Sequence, residues 1–354
     1  MIRVLHLCPA RRDFQTQRCL DHLMRDLGDG YCSTMLRIGS AVEALSVAIG
    51  ALAIQFRPGA GADIVHAWGA SALAAALLGR CRRIIYSPLP AEPVLCRGAL
   101  AAMVRPSGAT VVCTSETIRR RFLDIGISPD RCHAIRLGVD TEQIKPFRNA
   151  ALRAQLGFED SDDVILAPGE TVRGSGHREA AWAVGILNVL DGRRRLLVWG
   201  RGEGVDALRV FADCLQQPTL LTIAEQQLGR RVEFEQLPAV ADVALAASGG
   251  RAATLPLCIC MAAGLPVVST ANTDVAEVLE DGRTALLRSR PTPMMLAQCV
   301  LDLEKDAAMQ RRLCEAARAV AVEAFSLPRY LAQWRAVYAA VASGRDIGAA
   351  AIAV

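Results

Sequence analysis

The chain has 354 residues, more than one ordinary hydrophobic core organises, and this length predicts two packed domains. Hydrophobic residues make up 52% of it and charged residues 21%, a composition that excludes an intrinsically disordered protein. The 40 basic residues against 36 acidic ones give a net charge of +4. Nucleic-acid-binding proteins usually carry a dense basic face, so this near balance does not predict a nucleic-acid partner.

In the first half of the chain, short apolar runs alternate with amphipathic stretches. The runs predict strands at Ile2–Cys8, Ser33–Ile38, Asp63–Ala67, Arg83–Tyr86 and Ala109–Thr114. The amphipathic or Ala/Leu-rich stretches predict helices at Thr16–Leu27, at Ala41–Ala53, from Ser71 onward, and after a capping Ser115. This alternation is typical of βα units that form a parallel sheet with helices on both faces.

A second series of the same kind follows the polar stretch Arg148–Asp163. Its predicted strands are Val164–Pro168, Arg195–Trp199, Val232–Phe234, Val243–Ala246, Pro266–Thr270 and Thr284–Leu287. Its predicted helices are His177–Leu190, Val205–Leu215, Thr254–Ala263 with Gly264 as the stop, and most of 293–343.

These patterns predict an N-terminal domain at 1–155 and a C-terminal domain at 156–328. A terminal helix at 329–345 is expected to return to the first domain, and 346–354 to be a frayed tail. Two doubly wound domains in succession place the carboxyl ends of their strands at a cleft, where ligands of such folds bind.

The composition predicts neither a metal site nor a membrane span. The cysteines include no C-x-x-C pair, and the five histidines lack H-x-x-H spacing. The longest apolar stretch, Thr254–Val268, is interrupted by two prolines and a glycine, so we expect a cytoplasmic protein. The run Arg119-Arg120-Arg121 is either a solvated helix face or a weak peripheral contact with an anionic membrane.

Three stretches carry a family resemblance. They are AIRLGVDTEQIKP at Ala134–Pro146, MAAGLPVVSTANTDVAEVLEDGRTALL at Met261–Leu287, and AAMQRRLCEAARAVAVEAFSLPRYLAQWRAVY at Ala307–Tyr338. In this order they resemble the retaining group-1 glycosyltransferases of the GT-B fold. With the segments DIVHAWG, VVCTSETIRRRFLDIGI and LLVWGRGEG, the resemblance spans about Met1 to Tyr338.

The resemblance implies two Rossmann-like domains with a nucleotide-diphosphate sugar bound mainly to the C-terminal one. The acceptor, a glycan or a lipid-linked molecule, would lie against the N-terminal domain, and the sugar would move with retention of configuration. No metal and no separate cofactor are implied, because positive side chains and a helix amino terminus hold the diphosphate.

Several residues depart from the family pattern. Gly169 matches the glycine that opens the G-R-L-x-x-x-K-G motif, but Glu170 stands at its arginine and Ser175 at its lysine. Arg251 and Ile259 occupy the two glutamate positions of E-x7-E. A carboxylate facing a diphosphate repels it. These positions therefore lack the side chains with which the family binds its nucleotide-sugar donor.

A relocated anion site is one interpretation of the remaining residues. A glycine turn before a helix start offers backbone N–H groups, and arginines add bidentate phosphate contacts. The donor-site candidates of this kind are Gly169, Arg173, Arg201, Gly249, Gly250, Arg251 and Thr254. The alternative is that these arginines are solvated loop residues on an inactive scaffold.

Four further residues belong to the candidate site or its surroundings, and two of them, Glu277 and His66, keep two interpretations each. Glu277 matches the glutamate of the family's E-V-V-x-D-G block and is either a donor contact or a structural cap or ion pair. On the acceptor side, His66 is either a base or a structural histidine at a strand end, and Arg18 alone echoes the family's first glycine-rich loop. His177 is expected to pack or cap, and no catalytic residue is assigned.

The chain matches the family at some positions and departs from it at others, and two functions are compatible with this combination. One is a divergent glycosyltransferase that transfers a sugar from a nucleotide-diphosphate sugar to an unidentified acceptor. The other is a non-catalytic pseudo-glycosyltransferase that acts through a protein partner as a scaffold or regulator in a glycan pathway. A nucleotide-binding sensor is a third, weaker interpretation.

Overall fold

The computed structural model describes residues 1–10, 12–38, 61–89, 97–144, 146–248, 254–345 and 347. They form two compact units, one of Met1–Gly138 with Leu327–Val354 and the other of Val139–Ser326. The division at 155/156 from the sequence differs from this, since residues 139–155 cluster with the second unit. Hydrogen bonds from the Asn149 N–H to the Ala239 carbonyl (2.8 Å) and from Arg153 to the Val240 carbonyl (2.8 Å) hold them there. Except for Ile347, the tail lies outside the described residues.

Each unit has a six-stranded parallel sheet. The strands are β1 (Ile2–Pro9), β2 (Tyr31–Ile38), β3 (Ile64–Trp68), β4 (Ile84–Ser87), β5 (Thr110–Cys113), β6 (Cys132–Ala134), β7 (Asp163–Ala167), β8 (Arg194–Val198), β9 (Leu221–Ile223), β10 (Val243–Ala246), β11 (Val267–Thr270) and β12 (Leu286–Arg288). Their order is β2-β1-β3-β4-β5-β6 in the first unit and β12-β11-β10-β7-β8-β9 in the second.

Helices connect the strands. In the described ranges they are α1 (Phe14–Arg25), α2 (Ala70–Leu78), α3 (Arg97–Val104), α4 (Glu116–Asp124), α5 (Ala150–Gln155), α6 (His177–Asp191), α7 (Val205–Cys214), α8 (Ala224–Leu228), α9 (Thr254–Ala262), α10 (Pro293–Lys305), α11 (Ala307–Ala324) and α12 (Leu327–Ser343). Ser115 caps α4 as predicted, accepting from the Ile118 N–H at 3.2 Å. The helix predicted at Ala41–Ala53 lies outside the described residues.

One predicted strand is wrong. Val232–Phe234 is not a strand: Phe234 begins a 3₁₀ turn that runs to Val240, and the edge strand is β9 instead. The apolar side chains here are buried for another reason. The indole N–H of Trp199 donates to the Val232 carbonyl at 2.7 Å, and its ring packs edge-on against Phe234. The apolar pattern therefore reflects burial beneath a tryptophan and not sheet pairing.

The predicted fold class, two Rossmann-like domains built on parallel sheets, is confirmed. The core of each unit lies between its sheet and the covering helices, with Leu7 and Tyr86 in the first and Leu196 and Val268 in the second. In the second unit, the chain runs from β7 to β8 and β9 on one side of β7 and then crosses to β10, β11 and β12 on the other side. This change of direction opens a crevice at the carboxyl ends of β7 and β10, where ligands of such sheets bind.

Candidate functional site

The loops that follow β7 and β10 are in contact with each other at the crevice. The Ser248 hydroxyl donates to the Gly174 carbonyl at 3.0 Å. Gly176 has φ +83°, and a Cβ added there would overlap the backbone of Ala247 and Ser248. Only glycine permits both this left-handed conformation and this close approach, which explains why the glycine remains where the neighbouring lysine of the family has become Ser175.

The glycine-rich loop after β8 closes on the same edge. The Thr171 N–H donates to the Arg201 carbonyl at 2.7 Å, and the Gly204 N–H donates to the Thr171 carbonyl at 2.8 Å. Gly202 has φ +111°, and a side chain there would collide with the backbone of Thr171. These glycines therefore let two loops pack backbone to backbone and hold residues 169–176 in one shape.

Gly169, at the start of the loop after β7, packs against α9. It is buried, with φ +92°, and a Cβ added to it would lie 3.3 Å from Cγ of Pro256. Thr254, the candidate cap, is the first described residue of α9. Gly249, Gly250 and Arg251 lie outside the described residues.

The two remaining candidate arginines differ. Arg173 is exposed and makes no hydrogen bond or ion pair with the described residues, so its charge is available to a ligand. Arg201 donates to Oε1 of Glu225 at 2.9 Å and lies over the Trp199 ring at 4.4 Å from its centroid. Its charge is largely neutralised by that carboxylate, which favours a structural role.

The departures from the family motif are visible at the same edge. Glu170 is half-buried in the loop after β7. Ile259 lies in the core of the second unit, so its position offers no polar atom to a ribose. Glu277 ends a short 3₁₀ turn at Val275–Glu277 and is half-buried.

His177, expected to pack or cap, is buried at the first position of α6, directly after Gly176. Burial lowers the pKa of its imidazole to about 4, an effect that backbone groups of Gly169 and Ser175 partly oppose. Neither ring nitrogen has a well-aligned hydrogen-bond partner among the described residues. The ring is therefore neutral at pH 7 and packs behind the loop.

Unpartnered polar atoms collect at this edge, and the sequence did not reveal them. Besides His177 they are, within the described ranges, Oγ1 of Thr171, Oγ1 of Thr270 and Nδ2 of Asn272. All follow or end β7 or β11 on the carboxyl side. Buried polar groups without partners are uncommon in folded proteins, so such a group of them indicates a place for water or a polar ligand.

On the first unit, His66 is fully buried between β1 and α12. Its Nδ1 lies 2.8 Å from the Tyr338 hydroxyl and its Nε2 lies 2.9 Å from the Ser87 hydroxyl. Burial, together with the neighbouring His6, holds its pKa well below the usual value. Both nitrogens are thus engaged by protein groups, which favours the structural interpretation over an acceptor-side base.

Arg18 lies on α1 and interacts within that helix. Its guanidinium carbon is 5.4 Å from the centroid of Phe14, and Nη1 is 4.0 Å from the Asp21 carboxylate. In the basic run on α4, Arg119 donates to the Cys132 carbonyl at 2.7 Å and pairs with Glu116. Arg119 is therefore bound to its own unit and is not a free surface charge.

Neither a metal cluster nor a membrane-spanning helix occurs in the part of the chain that the structure describes. Those residues contain no group of three or more His, Cys, Asp or Glu side chains placed to hold a metal ion. None of their helices is both long and apolar enough to cross a membrane.

Comparison with known proteins places this site in context. Residues 175–306 match the family model described as "Glycosyl transferases group 1". A curated protein of Bacillus subtilis (strain 168), named "Putative glycosyltransferase EpsD", is 23% identical over 207 residues, which is 58% of this chain. The match spans about half of that relative, 53% of its length.

Solved structures share the fold across nearly the whole chain. Anabaena HepE in complex with UDP-glucose superposes with a TM-score of 0.79 at 16% identity, covering 96% of this chain and 100% of that one. A glycosyltransferase from Rickettsia africae gives 0.77 at 17% identity, covering 96% and 98%. Sucrose-phosphate synthase from Thermosynechococcus elongatus gives 0.78 at 15% identity, covering 97% and 100%. The chain is thus glycosyltransferase-like, with the GT-B fold throughout and a group 1 glycosyltransferase match in its second unit.

Proposed function

We propose that the protein is a glycosyltransferase that binds a nucleotide-diphosphate sugar at the carboxyl edge of the second sheet. The crevice between β7 and β10 is the observation that carries this proposal, because the loops around it are held in one shape by glycine contacts. The family match, residues 175–306, includes α6 and β10 but begins after β7, and the structurally similar HepE was crystallised with UDP-glucose. A UDP-sugar is accordingly the first donor to test.

The negative charge of the diphosphate would be met without the family's arginine and lysine. The amino terminus of α6 has no side-chain cap, so its first N–H groups can face an anion. Arg173, which is exposed and has no ion pair among the described residues, supplies a positive charge on the loop immediately before it. We propose, in keeping with the family, that transfer proceeds with retention of configuration and without a metal cofactor.

A non-catalytic scaffold is the second candidate function, and one observation favours it. Glu170 places a carboxylate in the loop where the family has an arginine, while Arg201 is paired with Glu225. Removing one contact to a developing charge commonly costs about 2.7–4 kcal/mol of transition-state stabilisation. A site that keeps nucleotide binding but not transfer would serve a scaffold or sensor.

Nucleotide titration tests the two candidates. We would titrate the purified chain with UDP, GDP, ADP and UDP-glucose, following heat and melting temperature, and then assay release of UDP. Ligand at about 100 times its dissociation constant should stabilise the native state by ~2.7 kcal/mol. Binding with turnover supports the enzyme, binding alone supports the sensor or scaffold, and no binding refutes the donor site.

Arg173→Ala tests the proposed contact. Losing a charge-assisted hydrogen bond of about 1.5–3 kcal/mol should weaken UDP binding more than tenfold. Arg312→Ala is the matched control, since Arg312 is an exposed arginine on α11 and belongs to none of the loops that form the crevice. Equal affinities of the two variants would remove Arg173 from the site.

A further inference from the structure

A second cleft lies on the opposite edge of the second sheet. It has a volume of about 720 Å³ and is walled by α5, the 3₁₀ turn at Phe234–Val240 and the segment around Pro146 and Phe147. α5 leads to the start of β7 and the 3₁₀ turn to the start of β10, whereas the loops of the proposed donor site follow the carboxyl ends of these strands. The two sites are therefore separated by the length of β7, a strand of five residues or roughly 15 Å.

Hydrogen bonds clamp the walls of this cleft to one another. The Asn149 N–H donates to the Ala239 carbonyl at 2.8 Å, which ties α5 to the 3₁₀ turn. Buried Arg153 reinforces this contact by donating to the Val240 carbonyl at 2.8 Å and to Asp242 at 3.2 Å. On the other side, Arg318 donates to the carbonyls of Ile144 (3.3 Å) and Ala262. The cleft is therefore preformed, and a ligand would not have to order it.

The polar lining of the cleft consists mainly of amides. Gln143, Gln155 and Gln236 all reach it, are exposed, and make no side-chain hydrogen bond with any described residue. Arg230 and Glu235 are the only charged side chains among the described lining residues, and their charges are opposite. Such a lining offers donors and acceptors in equal measure and no net field for an anion.

An aromatic ring completes the lining. Phe147 is 66% exposed and has no aromatic or cationic partner in the described part of the chain. A concave cleft that combines an aromatic side chain with a few unpaired hydrogen-bonding groups has the lining that ligand sites use. A ligand with an apolar face and many hydroxyl groups at its rim matches this combination.

From these contacts we infer that the cleft is a binding site for a neutral carbohydrate chain, distinct from the proposed donor site. The apolar C–H face of a sugar ring lies on Phe147, and its hydroxyl groups exchange hydrogen bonds with the three glutamine amides. The cleft does not depend on nucleotide binding, so it holds a growing or finished glycan whether or not the donor site transfers sugar.

Saturation-transfer difference NMR tests this inference with neutral probes. Maltohexaose, isomaltohexaose, laminarihexaose and cellohexaose are offered to the full chain, and calorimetry then gives the affinity of any that binds. We expect at least one to bind, and binding to persist in Arg173→Ala and in saturating UDP. Absence of binding by all four, or stronger binding of an anionic heparin hexasaccharide, would overturn the inference.

Variants place the sugar in the cleft. Phe147→Ala should weaken binding about tenfold, and Gln236→Ala about threefold, with unchanged melting temperature because both side chains are exposed. Trp182→Ala and Gln298→Ala are the matched controls, an exposed aromatic residue on α6 and an exposed glutamine on α10. If the controls weakened binding as much as the cleft variants did, the sugar would be bound elsewhere.

Discussion

Replacing Gly176 tests whether the loops after β7 and β10 are in contact at the carboxyl edge of the second sheet. Replacing it with alanine imposes two costs, since its φ is +83° and the new Cβ would overlap the backbone of Ala247 and Ser248. The left-handed conformation alone costs about 1–2 kcal/mol for a residue with a Cβ. Overpacking against a backbone that is part of the sheet edge adds about 1–3 kcal/mol.

Gly174 supplies an internal control within the same loop. Its φ is +82°, nearly identical, but a Cβ added there meets nothing within 4 Å. Gly174→Ala therefore carries the conformational cost without the collision. We expect Gly174→Ala to lose about 1–2 kcal/mol and Gly176→Ala about 2–5 kcal/mol.

Urea unfolding and thermal melting of the two variants measure the difference. In a unit of this size, 1 kcal/mol corresponds to about 2–4 °C in melting temperature. Gly176→Ala should also weaken nucleotide binding, because the loop after β7 has to move away from Ser248. Equal losses of stability in the two variants would show that the loops do not touch as described, and would refute the reasoning.

The remaining predictions concern buried polar groups. The pKa of His177 is about 4 in the folded chain and about 6.5 in the unfolded chain, so between these values the unfolded state binds a proton that the folded state does not. The free energy of unfolding is therefore unaffected by His177 above pH 6.5 and falls by about 1.4 kcal/mol per pH unit from there toward pH 4. His177→Phe should flatten that decline in melts between pH 7 and 5, and an unchanged slope would contradict the assignment. Tyr338→Phe should cost about 1–3 kcal/mol in urea unfolding, because buried His66 loses the partner of its Nδ1, while no loss would show that the bond is not formed. Arg153→Met should leave the Val240 carbonyl without its buried donor and destabilise the second unit by at least about 1 kcal/mol, as measured by hydrogen exchange in α5.

Local pattern was sufficient for most of the architecture. Short apolar runs predict β1, β3, β7 and β10. A strand of a parallel sheet is buried on both faces, so its sequence is a nearly continuous run of apolar residues. Gly264 was recognised as a helix stop, and it has φ +69°. Family motifs indicated the fold, which the structural comparisons support across the chain.

The wrong strand and the open interpretation of His66 have the same cause, which is contact between residues far apart in sequence. Val232 and Phe234 read as a strand, but their burial comes from Trp199 on another segment of the chain. For His66 the sequence left two interpretations open, because Tyr338, whose hydroxyl lies 2.8 Å from its Nδ1, is 272 residues away in the chain. No window of sequence contains both members of such a pair.

The sequence by itself thus determined most of the strands and helices, and it showed which family positions carry different residues, as at Glu170 and Ser175. Only the tertiary structure decided which charges remain available. In the sequence, Arg173 and Arg201 look alike, because both are arginines in glycine-containing loops. In the structure, Glu225 pairs with Arg201, whereas Arg173 has no ion pair among the described residues. Charge is a property of a residue, whereas its availability to a ligand depends on what the folded chain places beside it.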